Sequence, residues 1–234
     1  MKFQYISDLH LQKGNHPSIT SEAPYLILAG NLGFPFKNHY IEFLEQVSSQ
    51  FEKIFLVMGN IEYYGNSFAS VRRRIGEIIT RFKNIIFLDN TVYDVADNIS
   101  IYGTTLWSDL QGDMEAFRFC LEDYCNIPAF APEHSKNLHR IARKTFQTFL
   151  DRYPPSHKWI VISHFIPHKT LLDPKLQDHP MGTAHGSDVE EFMHQNVVAV
   201  VYGHSETATA TSKYYTNPLV DPNASCSATF EVEA

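Results

Sequence analysis

Cysteine is scarce: Cys120, Cys125 and Cys226 are the chain's 3 cysteines. They are too few for a disulfide framework and contain no CxxC pair. A reducing compartment suits that usage. Basic residues are also few, 19 Lys and Arg against 26 Asp and Glu, for a formal charge of -7. That balance argues against a general nucleic-acid-binding surface, so nucleic acid is not an expected partner. The one basic run, Arg72-Arg73-Arg74, has no interleaved aromatics on which bases would stack, and it reads as a solvated helical face. No uncharged apolar run approaches the ~20 residues needed to span a bilayer, so no membrane association is expected. Met1-Lys2-Phe3-Gln4-Tyr5 leads directly into a strand and leaves no room for a signal peptide. The expected location is cytoplasmic. There is no internal repeat, no linker and no G-x-x-x-x-G-K-[ST] phosphate loop.

What the chain does contain is a set of short polar clusters, each just after a stretch that reads as a buried strand. Asp8-Leu9-His10 follows Phe3-Gln4-Tyr5-Ile6, and Gly30-Asn31 follows Tyr25-Leu26-Ile27-Leu28. Gly59-Asn60-Ile61-Glu62 comes after Ile54-Phe55-Leu56-Val57-Met58, and Ser163-His164 after Trp159-Ile160-Val161-Ile162. Gly203-His204-Ser205-Glu206 closes the series after Val197-Val198-Ala199-Val200-Val201. An α/β sheet gathers such strand ends along one edge, where loops converge on a ligand.

The pattern between the clusters supports that sheet. Strands near 2–6, 25–29, 53–58 and 85–88 alternate with amphipathic helices near 37–49 and 67–81, the second capped by Ser67. This order predicts a largely parallel sheet covered on both sides. Residues 91–95 and 99–103 read as a hairpin about Asp97-Asn98, the start of a second sheet. Helices fill 110–153, broken at Pro128 and Pro132. A strand at 158–162 follows, then an irregular segment at 165–187, then strands at 197–202, 207–213 and 226–232. One domain over 1–234 with a helical insertion at about 108–153 is the economical organisation. The long irregular segment carries His168, His179 and His185, which either line a cleft or decorate a polar loop; the second is the plainer reading.

In order and along nearly the whole length, the blocks resemble those of the calcineurin-like metallophosphoesterases. The family's D-x-H stands as Asp8 and His10, its G-D as Gly30-Asn31, and its G-N-H-E as Gly59-Asn60-Ile61-Glu62. Its strand-end histidine is His164, and its G-H-x-H stands as Gly203-His204-Ser205-Glu206. Thr104-Thr105-Leu106-Trp107 looks like the smaller, phosphodiesterase-like members. The resemblance implies a four-layer α/β/β/α sandwich. It also implies divalent metals (Mn, Fe, Zn or Ni) that neutralise phosphate oxygens and activate the attacking water. Carried over by position, a first ion would use Asp8, His10, Asn31 and Glu206. A second would use Asn31, Asn60, His164 and His204, with Asn60, His164 and His204 also serving catalysis.

Three places depart from that pattern. Asn31 replaces the bridging carboxylate with a neutral amide, Glu206 replaces the last histidine, and Ile61 stands where the phosphate-facing histidine belongs. Without the bridge, one ion rather than two is expected, at the first set, which keeps two carboxylates. Glu62 reads as structural. The implied function is metal-dependent hydrolysis of a small phosphomonoester or phosphodiester, with a small phosphorylated molecule as partner. The alternative is a catalytically inactive binding or scaffolding protein on the same fold, with a protein partner.

Overall fold

The structure is a computed structural model that describes residues 1–14, 17–221 and 224–233. The first half runs β1 (Lys2–Ile6), β2 (Tyr25–Ala29), α1 (Asn38–Ser48), β3 (Lys53–Val57), α2 (Phe68–Ile79) and β4 (Ile85–Phe87). Ser67 caps α2, its hydroxyl accepting from Ser70 N at 3.3 Å. The middle holds the antiparallel pair β5 (Thr91–Ala96) and β6 (Ile99–Thr104). Three helices follow, α3 (Met114–Cys120), α4 (Glu122–Asn126) and α5 (Pro132–Arg152), the last beginning on the proline that broke the helical pattern. The chain then forms β7 (Lys158–Ser163), a short α6 (Pro174–Gln177), β8 (Val197–Tyr202), β9 (Thr209–Ala210), β10 (Tyr214–Thr216) and β11 (Thr229–Glu231).

Two sheets result. The first has the order β11-β1-β2-β3-β4, parallel except for β11; the second has the order β5-β6-β7-β8-β10-β9 and is parallel across β6, β7, β8 and β10. Side-chain alternation explains how they stack. In β2, Ile27 and Ala29 join Phe3, Phe55, Ile101, Ile160, Ile162 and Val201 in a core between the sheets, while Leu26 and Leu28 face outward to the helices. In β7, Ile160 and Ile162 face inward and Trp159 and Val161 outward. Strands buried on both faces read as continuous apolar runs for this reason. The architecture is the four-layer α/β/β/α sandwich.

Two local differences have clear causes. The expected strand at 207–213 is a small hairpin instead, because the Thr211 hydroxyl accepts from Lys213 N and Tyr214 N at 3.2 and 2.9 Å and folds the chain back. The basic triplet on α2 is exposed or half-buried, with Arg72 paired to Asp89 at 2.7 Å and Arg74 to Glu77 at 3.6 Å. No described helix is long and apolar enough to cross a membrane.

Candidate active site

The polar clusters sit beyond the C-terminal ends of β1, β2, β3, β7 and β8, and the two sheets bring these ends to one rim. His164 lies at its centre, fully buried. Its Nδ1 is 2.8 Å from Ala29 O. A carbonyl only accepts, so Nδ1 carries the proton and Nε2 presents a lone pair. That Nε2 lies 3.1 Å from Asn60 Oδ1 and 3.3 Å from His204 Nδ1.

The orientation of Asn60 is dictated from outside the motif. Its Nδ2 donates to Asp123 Oδ1 at 2.7 Å, and the same oxygen accepts from Tyr64 OH at 2.8 Å. A carboxylate requires the amino end of the amide, so the carbonyl end must face His164. An acceptor therefore opposes an acceptor. Protonation does not relieve the pair, because burial pushes the His164 pKa down to about 3. Burial, with His164 next to it, takes His204 well below its usual range too. His204 can donate from Nδ1 in one tautomer, but Asn60 Oδ1 has no proton to offer.

Such a convergence of lone pairs suits a cation. Two ligands on one ion with bonds of ~2.1 Å stand about 3.0 Å apart at a right angle and about 3.4 Å apart at a tetrahedral angle. The observed 3.1 and 3.3 Å fall in that interval. One amide oxygen and two imidazoles form a donor set for a borderline divalent ion. The residues present fit one ion here. Among the described residues, no group of three or more His, Cys, Asp or Glu side chains is spaced to hold a metal.

The other expected set is arranged differently. Asp8 is buried, and its Oδ1 accepts from Asn31 Nδ2 at 3.1 Å while its Oδ2 accepts from His204 N at 3.0 Å. Burial pushes its pKa up to about 7, against the pull of these bonds. Asn31 Oδ1 accepts from Ile61 N at 3.1 Å, so its amide is engaged at both ends by protein. His10 Nε2 stands 4.0 Å from Asp8 Oδ1, and burial lowers the pKa of its ring to about 4. Glu206 is exposed at the rim. The structure thus sets Asn60 Oδ1 and His204 Nδ1 each against His164 Nε2. It links Asp8 to Asn31 by hydrogen bond, and leaves His10 and Glu206 along the wall.

Holding these loops together is Glu62, fully buried behind the site. Its Oε1 accepts from Leu32 N at 2.7 Å, and its Oε2 from Gly59 N at 2.9 Å and Asn31 N at 3.2 Å. Burial pushes its pKa up to about 7 while those three donors pull it back. Gly59 is required by contact: a Cβ there would lie 2.2 Å from Asn31 Oδ1 and 2.7 Å from His164 Nε2. Asp8, His10, Asn31 and His204 all adopt positive φ, between 51 and 56°. Non-glycine residues pay about 1–3 kcal/mol for such geometry, and it clusters at functional sites.

Asn60 and His204 line a cleft of about 560 Å³, with Lys13, Ile61, Tyr64 and His185 also on its wall, and His164 lies buried behind them. His204 is stacked on Phe165 at 4.3 Å and flanked by His185 at 5.4 Å. Of the three loop histidines, only His185 reaches the cleft. His168 Nδ1 accepts from Thr170 N and His179 Nδ1 from Met181 N, both local loop bonds. Sequence reasoning missed Asp123 and Tyr64. Asp123 lies in a helix with no strand end or motif before it, so no local signal marks it.

A phosphopantetheinyl hydrolase from Mycobacterium tuberculosis superimposes with a TM-score of 0.72 at 17% identity, covering 94% of this chain and 90% of that one. The fold is that of the calcineurin-like metallophosphoesterases. A putative 5'-nucleotidase from Staphylococcus aureus, solved with alpha-ketoglutarate, shares the metallophosphoesterase-like fold at a TM-score of 0.50 and 12% identity, over 92% of this chain and 48% of that one. An uncharacterized protein of Acanthamoeba polyphaga mimivirus is 25% identical over 249 residues, spanning 93% of this chain and 88% of that protein. No protein-family model matches the chain.

Proposed function

We propose that the protein is a metal-dependent hydrolase of a small phosphomonoester or phosphodiester, holding one divalent cation through Asn60, His164 and His204. The observation that carries this reading is the placement of Asn60 Oδ1 and His204 Nδ1 at 3.1 and 3.3 Å from His164 Nε2, with the Asn60 carbonyl turned to His164 by Asp123. A cation bound there supplies Lewis-acid polarisation of a phosphoryl oxygen and a lowered pKa for an adjacent water.

The chain's own residues do the rest. Asp123 turns the Asn60 amide toward the site, and Ala29 O fixes the His164 tautomer. Asp8 anchors the backbone of His204. Lys13 places positive charge on the cleft wall, where a phosphate enters. Ile61 has no proton to give a departing alcohol. A positioned acid is typically worth ~10²–10⁴ in rate, so turnover is slow and favours leaving groups that depart as stable anions.

A second reading, a binding or scaffolding protein that retained the fold without the chemistry, is favoured by the Asn31 amide, engaged by Asp8 and Ile61 N. Assay of the protein loaded with Mn, Zn or Ni on aryl phosphomonoesters and phosphodiesters separates the two. The hydrolase reading expects slow turnover that His164→Ala abolishes. A silent wild type, with turnover only after Asn31→Asp, Ile61→His and Glu206→His together, establishes the binding reading.

A further inference from the structure

Beside the cleft lies a second, more enclosed chamber of about 220 Å³. The two share His185, His204, Ser205 and Glu206, so the chamber opens within one side chain of the converging donors. One wall is apolar: Ile166, Leu171, Leu172 and Leu176. Thr207 and Thr209 also line the chamber. No lysine or arginine lines it; beside the imidazoles of His185 and His204 it carries the carboxylates of Asp173 and Glu206.

The walls are held in shape by backbone. Ile166 N donates to His185 O at 3.2 Å and Ser187 N to Ile166 O at 3.0 Å, stitching the two sides of the irregular segment together. A Cβ at Gly182 would lie 2.0 Å from Leu176 O, and one at Gly186 would lie 2.7 Å from Ile166 O. Ile166 and Leu172 pack on Tyr202 of β8, with Leu171 and Leu176 against them, so the apolar wall is a small packed cluster of its own.

We propose that this chamber is the specificity subsite for the organic part of the phosphoester, and that it selects a compact, uncharged or cationic group with an apolar body. The proposal rests on the hydrolase reading above. Size sets the upper limit: a cavity of about 150 Å³ takes a benzene ring, so this one holds a single ring or a short branched chain, not a dinucleotide. Charge sets the class. A second phosphate or a carboxylate would meet Asp173 and Glu206 with no lining lysine or arginine to offset it. Hydroxyl, amide or amine donors on the group would instead find Thr207, Thr209 and Glu206 as acceptors. The substrate is thus the monoanionic or dianionic phosphoester of a small neutral or amino alcohol.

Calorimetric titration of the Zn-loaded protein with non-hydrolysable phosphonates tests this without turnover. Phenylphosphonate binds at least about tenfold tighter than methylphosphonate, and a 4-carboxyl group on the ring erases the gain. Leu171→Glu charges the chamber and Thr209→Phe fills it. Each removes the preference for phenyl while methylphosphonate binding persists. If circular dichroism shows Leu171→Glu unfolded, Thr209→Phe alone decides. Equal affinity for both phosphonates in the wild type overturns the subsite and leaves the phosphate site standing. Failure of both to bind overturns the hydrolase reading and the subsite with it.

Discussion

Asp123 has no place in any motif, yet it decides which end of the Asn60 amide faces His164. Outer partners of metal ligands commonly carry about 10–100-fold in affinity. Asp123→Ala therefore lowers divalent-metal affinity by about that factor while the far-UV circular dichroism spectrum is retained; unchanged affinity would remove Asp123 from the site. Glu62 acts on a different quantity. Glu62→Gln turns one acceptor into a donor against backbone N–H groups from two loops, leaving at least one buried donor without a partner. The expected loss is about 1–3 kcal/mol, read from the denaturant midpoint. At this scale the sequence was informative about residue type and silent about partner. That Asn31 replaces a carboxylate is visible in the chain. That its amide would close on Asp8 and on Ile61 N depends on contacts between separate turns.

Among elements, the central strands β2, β3, β7 and β8 were the most legible because they are buried on both faces and read as continuous apolar runs. Leu26, Ile27 and Leu28 face alternate layers, and all are fully buried. The helices α1 and α2 were equally plain from their spaced apolar positions, Tyr40, Phe43, Leu44 and Val47 in one and Val71, Ile75 and Ile78 in the other. Where side-chain hydroxyls competed with backbone pairing, as at Thr211, periodicity misled and a hairpin stood in place of a strand. The turn after β3 offers a test at this scale. Gly59→Ala places a methyl group against Asn31 and His164, so the turn must shift. Overpacking of this kind costs about 1–3 kcal/mol, and here it also weakens metal binding, because Asn60 follows directly. A stable variant with full metal affinity would show that the turn is looser than the structure describes. In the inter-sheet core, Phe55→Ala is expected to cost about 3–5 kcal/mol by thermal or chemical denaturation.

For the whole molecule, the two stacked sheets form a rigid platform that brings residues more than a hundred positions apart to one rim, Asn60 and His164 among them. Order of motifs along the chain made that convergence legible. The balance between the two expected ligand sets was not, since it turns on amide orientation and on Asp123 in the helical segment between β6 and β7. Anomalous diffraction at the metal edge, on crystals soaked in Zn or Mn, addresses the balance directly. A single peak within bonding distance of Asn60 Oδ1, His164 Nε2 and His204 Nδ1, lost in His164→Ala and kept in His10→Ala, is the predicted result. No peak there, two peaks of equal strength, or a lone peak between Asp8 and His10 would contradict it.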